Sequence, residues 1–219
     1  MKKFLHKYRH AWTLLYVFIY MAWFMWLERT ITPDTPYTNI HVWIDDYIPF
    51  CEWFIIPYVL WFLYIPLVMG FVFFTSRSEF YKASAYMFIG MSICLFICTV
   101  WPNGQDLRMD EFTRNNICTR IISFIYTADT NTNVFPSIHV FNSVGAVILI
   151  FKNHILKKYK WVKIGSIVLS TLIILSTMFL NQHSIVDVIG GLVLGAIMYL
   201  LVYGIKWSKI RKKLRRRRK

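Results

Sequence analysis

Asn181-Gln182-His183-Ser184-Ile185-Val186-Asp187 joins two long apolar runs, residues 161–180 and 185–205, so it belongs at one face of a membrane. If Asp187 opens the second of these runs as a helix, it lies one turn from His183, on the same face. A carboxylate there takes the proton on one imidazole nitrogen, fixes the tautomer and leaves a lone pair on the other nitrogen. A second stretch, Phe135-Pro136-Ser137-Ile138-His139, stands at the mouth of another apolar run and supplies a second imidazole and a hydroxyl. Two histidines, a carboxylate and a hydroxyl at one membrane face amount to an acid, an oriented base or nucleophile, and a donor.

The same hydropathy recurs on both sides of this run. The 219 residues are 57% hydrophobic and 18% aromatic, too apolar for a soluble domain of this length. The expected fold class is all-α: one polytopic membrane domain over residues 1–219, with six transmembrane helices at 11–27, 53–75, 83–101, 137–151, 161–180 and 185–205. Residues 28–51 and 102–135 read as long loops, and 76–82 and 152–160 as short polar turns. Within 102–135, Ile117, Ile121, Phe124 and Ile125 share a helical stripe flanked by Arg114 and Arg120, the pattern of an interfacial helix. Pro136 suits the first turn of the fourth span. Gly191 and Gly195 give the sixth span a small-residue face for close packing. Cys94 and Cys98 read as packing residues. Cys51 and Cys118 fall in loops on one side, where a disulfide between them is open.

A net charge of +14 in a soluble protein would suggest nucleic acid; here the charge is confined to short flanks of apolar runs, and no nucleic-acid partner is expected. Six spans put both termini on one side. All but four of the 25 lysines and arginines then fall on that side, the exceptions being Arg29, Arg108, Arg114 and Arg120. Of the 11 acidic residues only Glu79 joins them. The positive-inside rule makes both termini cytoplasmic. The loops carrying Arg108, Ser137 and His183 come out on the extracytoplasmic face, of the plasma membrane or a lumen. The basic tail 206–219 is expected to touch anionic lipid.

Phe135-Pro136-Ser137-Ile138-His139 followed by His183-xxx-Asp187 resembles the second and third signatures of the type 2 phosphatidic acid phosphatase superfamily, membrane lipid phosphatases and phosphotransferases with a six-helix core. The resemblance implies His183 as the nucleophile that forms a phosphohistidine, and Asp187 as the group that orients it. It implies His139 as the acid for the leaving alkoxide and Ser137 as a phosphate ligand. It implies a lipid phosphate substrate, no cofactor and no metal. Phosphoryl transfer independently asks for these parts: an in-line nucleophile, a proton donor to the leaving oxygen, and donors around the equatorial oxygens.

The chain also departs from the pattern. The usual third signature begins Ser-Arg; here Ser176 and Thr177 hold those places. The first signature has Trp101 for its lysine, Arg108 at its arginine and Met109 for its proline. Arg108 and Thr177 join Ser137 as candidate phosphate ligands. The absent arginine and the Thr-Met-Phe-Leu run are similar to the inositol phosphorylceramide synthase-like branch, which moves a phosphoryl headgroup between lipids. Against these stand a zinc or cation site on His139, His183 and Asp187, an intramembrane serine protease using Ser143, and a dead scaffold. Ser143 reads more simply as a packing residue. His41 and His154 read as solvated groups off the site.

Overall fold

A computed structural model describes residues 8–205. Lys2, Lys3, Lys7 and the basic tail 206–219 lie outside the described residues. The chain forms α1 (Tyr16–Thr30, led in by a 3-10 segment Arg9–Leu15), α2 (Ile55–Thr75), α3 (Arg77–Val100), α4 (Ile117–Ala128), α5 (Ile138–Lys152), α6 (Lys160–Phe179) and α7 (Ile185–Tyr199). A π segment, Leu200–Gly204, continues α7. Two two-residue strands, β1 (Thr38–Asn39) and β2 (Asn103–Gly104), pair in parallel between loops, a detail absent from the all-α expectation.

Five helical rods are long and apolar enough to cross a membrane: Arg9–Thr30, Glu52–Thr75, Arg77–Val100, Lys160–Phe179 and Ile185–Gly204. The fold is therefore that of a polytopic membrane protein. The expected fourth span corresponds to α5, which has 15 residues and falls short of that length. At 1.5 Å per residue it is about 22 Å long. α5 packs against α2, α3, α6 and α7, and the side chains from His139 to Gly145 are mostly buried. The third rod starts earlier than expected, because Ser76 caps it by accepting from Glu79 N–H; the polar turn 76–82 shrinks to that one capping residue.

Hydrogen bonds between helix ends show the rods alternating in direction. Cys51 N–H at the start of α2 donates to the carbonyl of Phe179, and Ser137 N–H at the start of α5 donates to that of Asp187. Glu28 near the end of α1 accepts from Thr130 and Asn133. At the other end Asn153 Nδ2 donates to Thr75 Oγ1 and Glu79. The long loops 31–54 and 101–137 and the turn 180–184 thus gather at one end of the bundle.

The core is a column of Phe80, Tyr86, Phe141, Leu149 and Met198 shared by α3, α5 and α7. α7 enters it on its glycines. A Cβ at Gly191 would come within 2.8 Å of the Ser137 carbonyl oxygen, and one at Gly195 within 3.2 Å of Tyr86 Oη. The small-residue face therefore sets α7 against the start of α5, which the site requires. Phe18, Leu67, Phe74 and Trp161 point outward and exposed, as lipid-facing side chains do. α4 is apolar on two sides: Cys118 and Ile122 pack on Ile55, Tyr58 and Leu180, while Ile117, Ile121 and Phe124 are exposed. Cys51 and Cys118 are free, so no disulfide joins them.

Candidate active site

Two helix starts and the loops around them build the site. Pro136 is not in the first turn of α5: Ser137 is the N-cap, its hydroxyl accepting from Val140 N–H at 3.4 Å, and Pro136 precedes it. His139 is then the second residue of α5. α7 opens on a capping box in which Ser184 is the N-cap and Asp187 returns a carboxylate oxygen to Ser184 N–H at 3.0 Å. That same oxygen, Oδ2, lies 3.1 Å from His183 Nδ1. One carboxylate thus serves the helix start and the imidazole together. His183 Nε2, the nitrogen left facing away from Asp187, is 3.4 Å from His139 Nδ1.

The His139 ring is walled by aromatic rings of α2, with centroids 4.9 Å from Tyr58 and 4.4 Å from Trp61. His183 and His139 are both buried, and Asp187 is fully so. Burial away from water strengthens any charge interaction made there.

Arg108 reaches the same region from the loop after β2. Its guanidinium donates to the carbonyls of Tyr126 and Thr130, each at 2.9 Å, and to Gln182 Oε1 at 2.7 Å, and it lies over the Tyr126 ring. Burial draws this guanidinium below its usual range, with Asp129 acting the other way. Burial pushes the Asp129 carboxyl up to about 6, against the pull of Arg108. The loop is laced to the turn before His183: Gln105 Nε2 donates to the carbonyls of Asn181 and Gln182, and Asn181 Nδ2 donates to that of Leu107. Asn181 takes the left-handed conformation, φ 53°, that reverses the chain out of α6. The backbone N–H groups of Gln182 and His183 both donate to the Thr177 carbonyl.

The expected residues therefore fall into two groups. His139, His183 and Asp187 form one contiguous array, and Arg108 adjoins it through Gln182. Ser137 is fully buried, capping α5 and touching α7 through its backbone. Thr177 is fully buried, and its hydroxyl donates to the Ile174 carbonyl at 2.7 Å in its own helix. Trp101 sits at the rim, its indole donating to Thr38 Oγ1. Ser143 donates to the His139 carbonyl within α5, as a packing serine does. His41 is not simply solvated: it lies 2.7 Å from Asp46 and 2.9 Å from Asp106, tying the first loop to the Arg108 loop. His154 pairs with Glu79 at the opposite end.

Four neighbours of the array carried no signal in the sequence. Asp45, one acid among several in a loop, is buried and accepts from Val42 N–H (3.0 Å), Ser184 Oγ (2.6 Å) and Ile185 N–H (2.8 Å). It holds the start of α7, where the helix dipole favours an anion. Tyr58 and Trp61 looked like ordinary span aromatics. Gln182 stood beside His183, but only the folded loop shows that it bonds Arg108.

Apolar rods with a buried pair of imidazoles, one held by a carboxylate at a helix start, make a polytopic membrane protein with a candidate acid–base site. Residues 111–211, just under half of the chain, match the PAP2 superfamily model. Proteins of that superfamily are phosphatases or phosphotransferases acting on phosphate esters. The matched segment contains Ser137, His139, Thr177, His183 and Asp187; Arg108 lies just ahead of it. No curated protein matches the chain. No solved structure matches it either.

Proposed function

We propose that the protein is an integral-membrane lipid phosphate phosphatase that hydrolyses its substrate through a phosphohistidine. The observation that carries this is the Asp187–His183–His139 array, with hydrogen-bond contacts of 3.1 and 3.4 Å. With Nδ1–H donated to Asp187, His183 Nε2 carries the lone pair. It attacks phosphorus, forming the N–P bond as the P–O bond to the lipid alcohol breaks. His139 gives the leaving alkoxide its proton, then takes one from water as that water attacks phosphorus. The N–P bond breaks and inorganic phosphate leaves. The direct contact between the two imidazoles is exchanged for contacts to the phosphoryl group when substrate enters. No step needs a metal or a cofactor.

A second reading, transfer of a phosphoryl headgroup to a lipid alcohol, is favoured by Thr177 and Trp101 at positions where the family pattern has cations. With less positive charge, the site suits a singly charged diester better than a doubly charged monoester. In either reading the whole chain acts as one membrane domain with six spans, α5 being the short one. Both termini are cytoplasmic, the site opens on the extracytoplasmic face, and the basic tail meets anionic lipid.

The test is incubation of the purified full chain with a panel of lipid phosphates and diesters, with and without added diacylglycerol, alongside His183→Ala. Phosphate release lost in the variant supports the phosphatase. A new phospholipid formed at the expense of free phosphate supports the transferase. Turnover unaffected by His183→Ala removes both.

A further inference from the structure

Among the described residues, three buried side-chain N–H donors without a hydrogen-bond partner belong to neighbours of the two histidines, Trp61 Nε1, Arg108 Nε and Gln182 Nε2, and two unpaired acceptors, Asn142 Oδ1 and Asp187 Oδ1, lie on α5 and α7. Trp61 stacks against His139, Gln182 precedes His183 in the chain, and Arg108 is bonded to Gln182. A buried donor left unpaired is costly, and a group of them calls for an acceptor, which in this setting is an anion.

Gln182 is the most constrained of the three. It is 2% exposed, and its main chain is pinned from both sides, N–H to the Thr177 carbonyl and carbonyl to Gln105 Nε2. Arg108 is a donor only, so the amide atom it meets must be oxygen. The amide is thereby fixed with its NH2 turned away from Arg108. The guanidinium also polarises it, since a hydrogen bond from a cation to Oε1 strengthens the N–H groups across the same amide. The Arg108 guanidinium itself is held by two carbonyls as well as Gln182, so much of its donor capacity is already engaged.

We propose that Gln182 Nε2 binds a phosphoryl oxygen of the substrate, delivering the positive potential of Arg108 to the site where no third-signature arginine is present. The inference deepens the proposed function by adding a ligand to its phosphate subsite. It also explains how Thr177 can stand at the arginine position with its hydroxyl engaged in α6: the donor comes from the residue before His183 instead.

The experiment reads oxyanion binding apart from turnover. Orthovanadate is titrated into the purified full chain, and binding is followed by tryptophan fluorescence, with Trp61 against His139 as a local reporter. Gln182→Glu keeps an oxygen for Arg108 and nearly the same shape but removes the N–H groups and adds a negative charge. Gln182→Ala removes both the N–H groups and the partner of Arg108. Expected affinities fall about 10- to 100-fold in Gln182→Ala, the range for a hydrogen bond to a charged group, and further in Gln182→Glu. Arg120→Ala, on exposed α4, should bind as the parent does. Parent-like binding by Gln182→Glu, or no binding by the parent protein, overturns the proposal. A parent that binds orthovanadate through Gln182 yet hydrolyses no lipid phosphate keeps this ligand and removes the lipid phosphatase. Hydrolysis that depends on His183 but is indifferent to Gln182→Glu removes this ligand alone.

Discussion

Asp187→Asn separates the charge of Asp187 from its geometry. Oδ2 accepts from both Ser184 N–H at 3.0 Å and His183 Nδ1 at 3.1 Å, while Oδ1 is buried with no partner. The Ser184 N–H is always a donor, so an asparagine must put its amide oxygen at the Oδ2 position. His183 Nδ1–H then keeps its acceptor, and the imidazole keeps its tautomer. The capping box removes the freedom of the amide to turn its NH2 toward His183. What the variant loses is the negative charge facing an imidazole that, in the proposed mechanism, becomes positive as phosphorus bonds to it. A unit charge at about 4 Å is worth about 4 kcal/mol at an effective dielectric constant near 20, an upper bound of about 10³ in rate. Replacing a charge-assisted hydrogen bond by a neutral one costs about 1 kcal/mol, or several-fold, as the lower bound. Expected kcat on a lipid phosphate in mixed micelles is therefore about 5- to 10³-fold below the parent, short of the ~10⁴ cost of a flipped tautomer. Asp187→Ala leaves both donors unpaired and removes the cap, so it should lose more activity and about 1 kcal/mol of stability. Equal activity in the two variants would refute the pinned amide, and parent-like activity in Asp187→Asn would refute the charge argument.

His183→Ala and His139→Ala should each lower turnover by on the order of 10²-fold or more, with the parent fully active in EDTA; activity lost in EDTA and restored by zinc would contradict this. Asp45→Asn should lower the melting temperature, because all three groups on that carboxylate are donors and the amide must leave at least one unpaired, at about 1–3 kcal/mol; an unchanged melt would show that Asp45 does not hold α7. For Asp129 the folded-state pKa is raised by burial from 3.8 to about 6, so its ionised form is disfavoured in the fold. Its penalty sets in as pH rises from about 4 to 6, and Asp129→Asn should melt higher than the parent at pH 7.5 and with it at pH 4; the reverse order at pH 7.5 would show that pairing with Arg108 outweighs burial. A cysteine placed in loop 102–116 should react with an impermeant thiol reagent in intact cells and one in 153–159 should not, the opposite pattern placing the site in the cytoplasm.

Hydropathy alone fixed the membrane class, and local spacing picked out the candidate site residues at each end of the array. Long apolar runs are a one-dimensional property, so the five long rods could be read directly; that α5 is only 15 residues long and packed among four helices could not. His183 and Asp187 were legible as a pair because four residues on one helix are neighbours whatever the rest of the fold does. The Phe-Pro-Ser-x-His stretch announced His139 for the same local reason. The meeting of His139 with His183 is a different matter. They are 44 residues apart, and their contact depends on α7 closing on the start of α5 at Gly191. Asp45 lies 139 residues from Ser184, and Arg108 lies 74 residues from Gln182. No periodicity records such pairings. Charge and polarity in a loop look alike whether the group faces water or caps a buried helix, and only tertiary packing, by excluding water from some of them, decided which polar residues became part of the site.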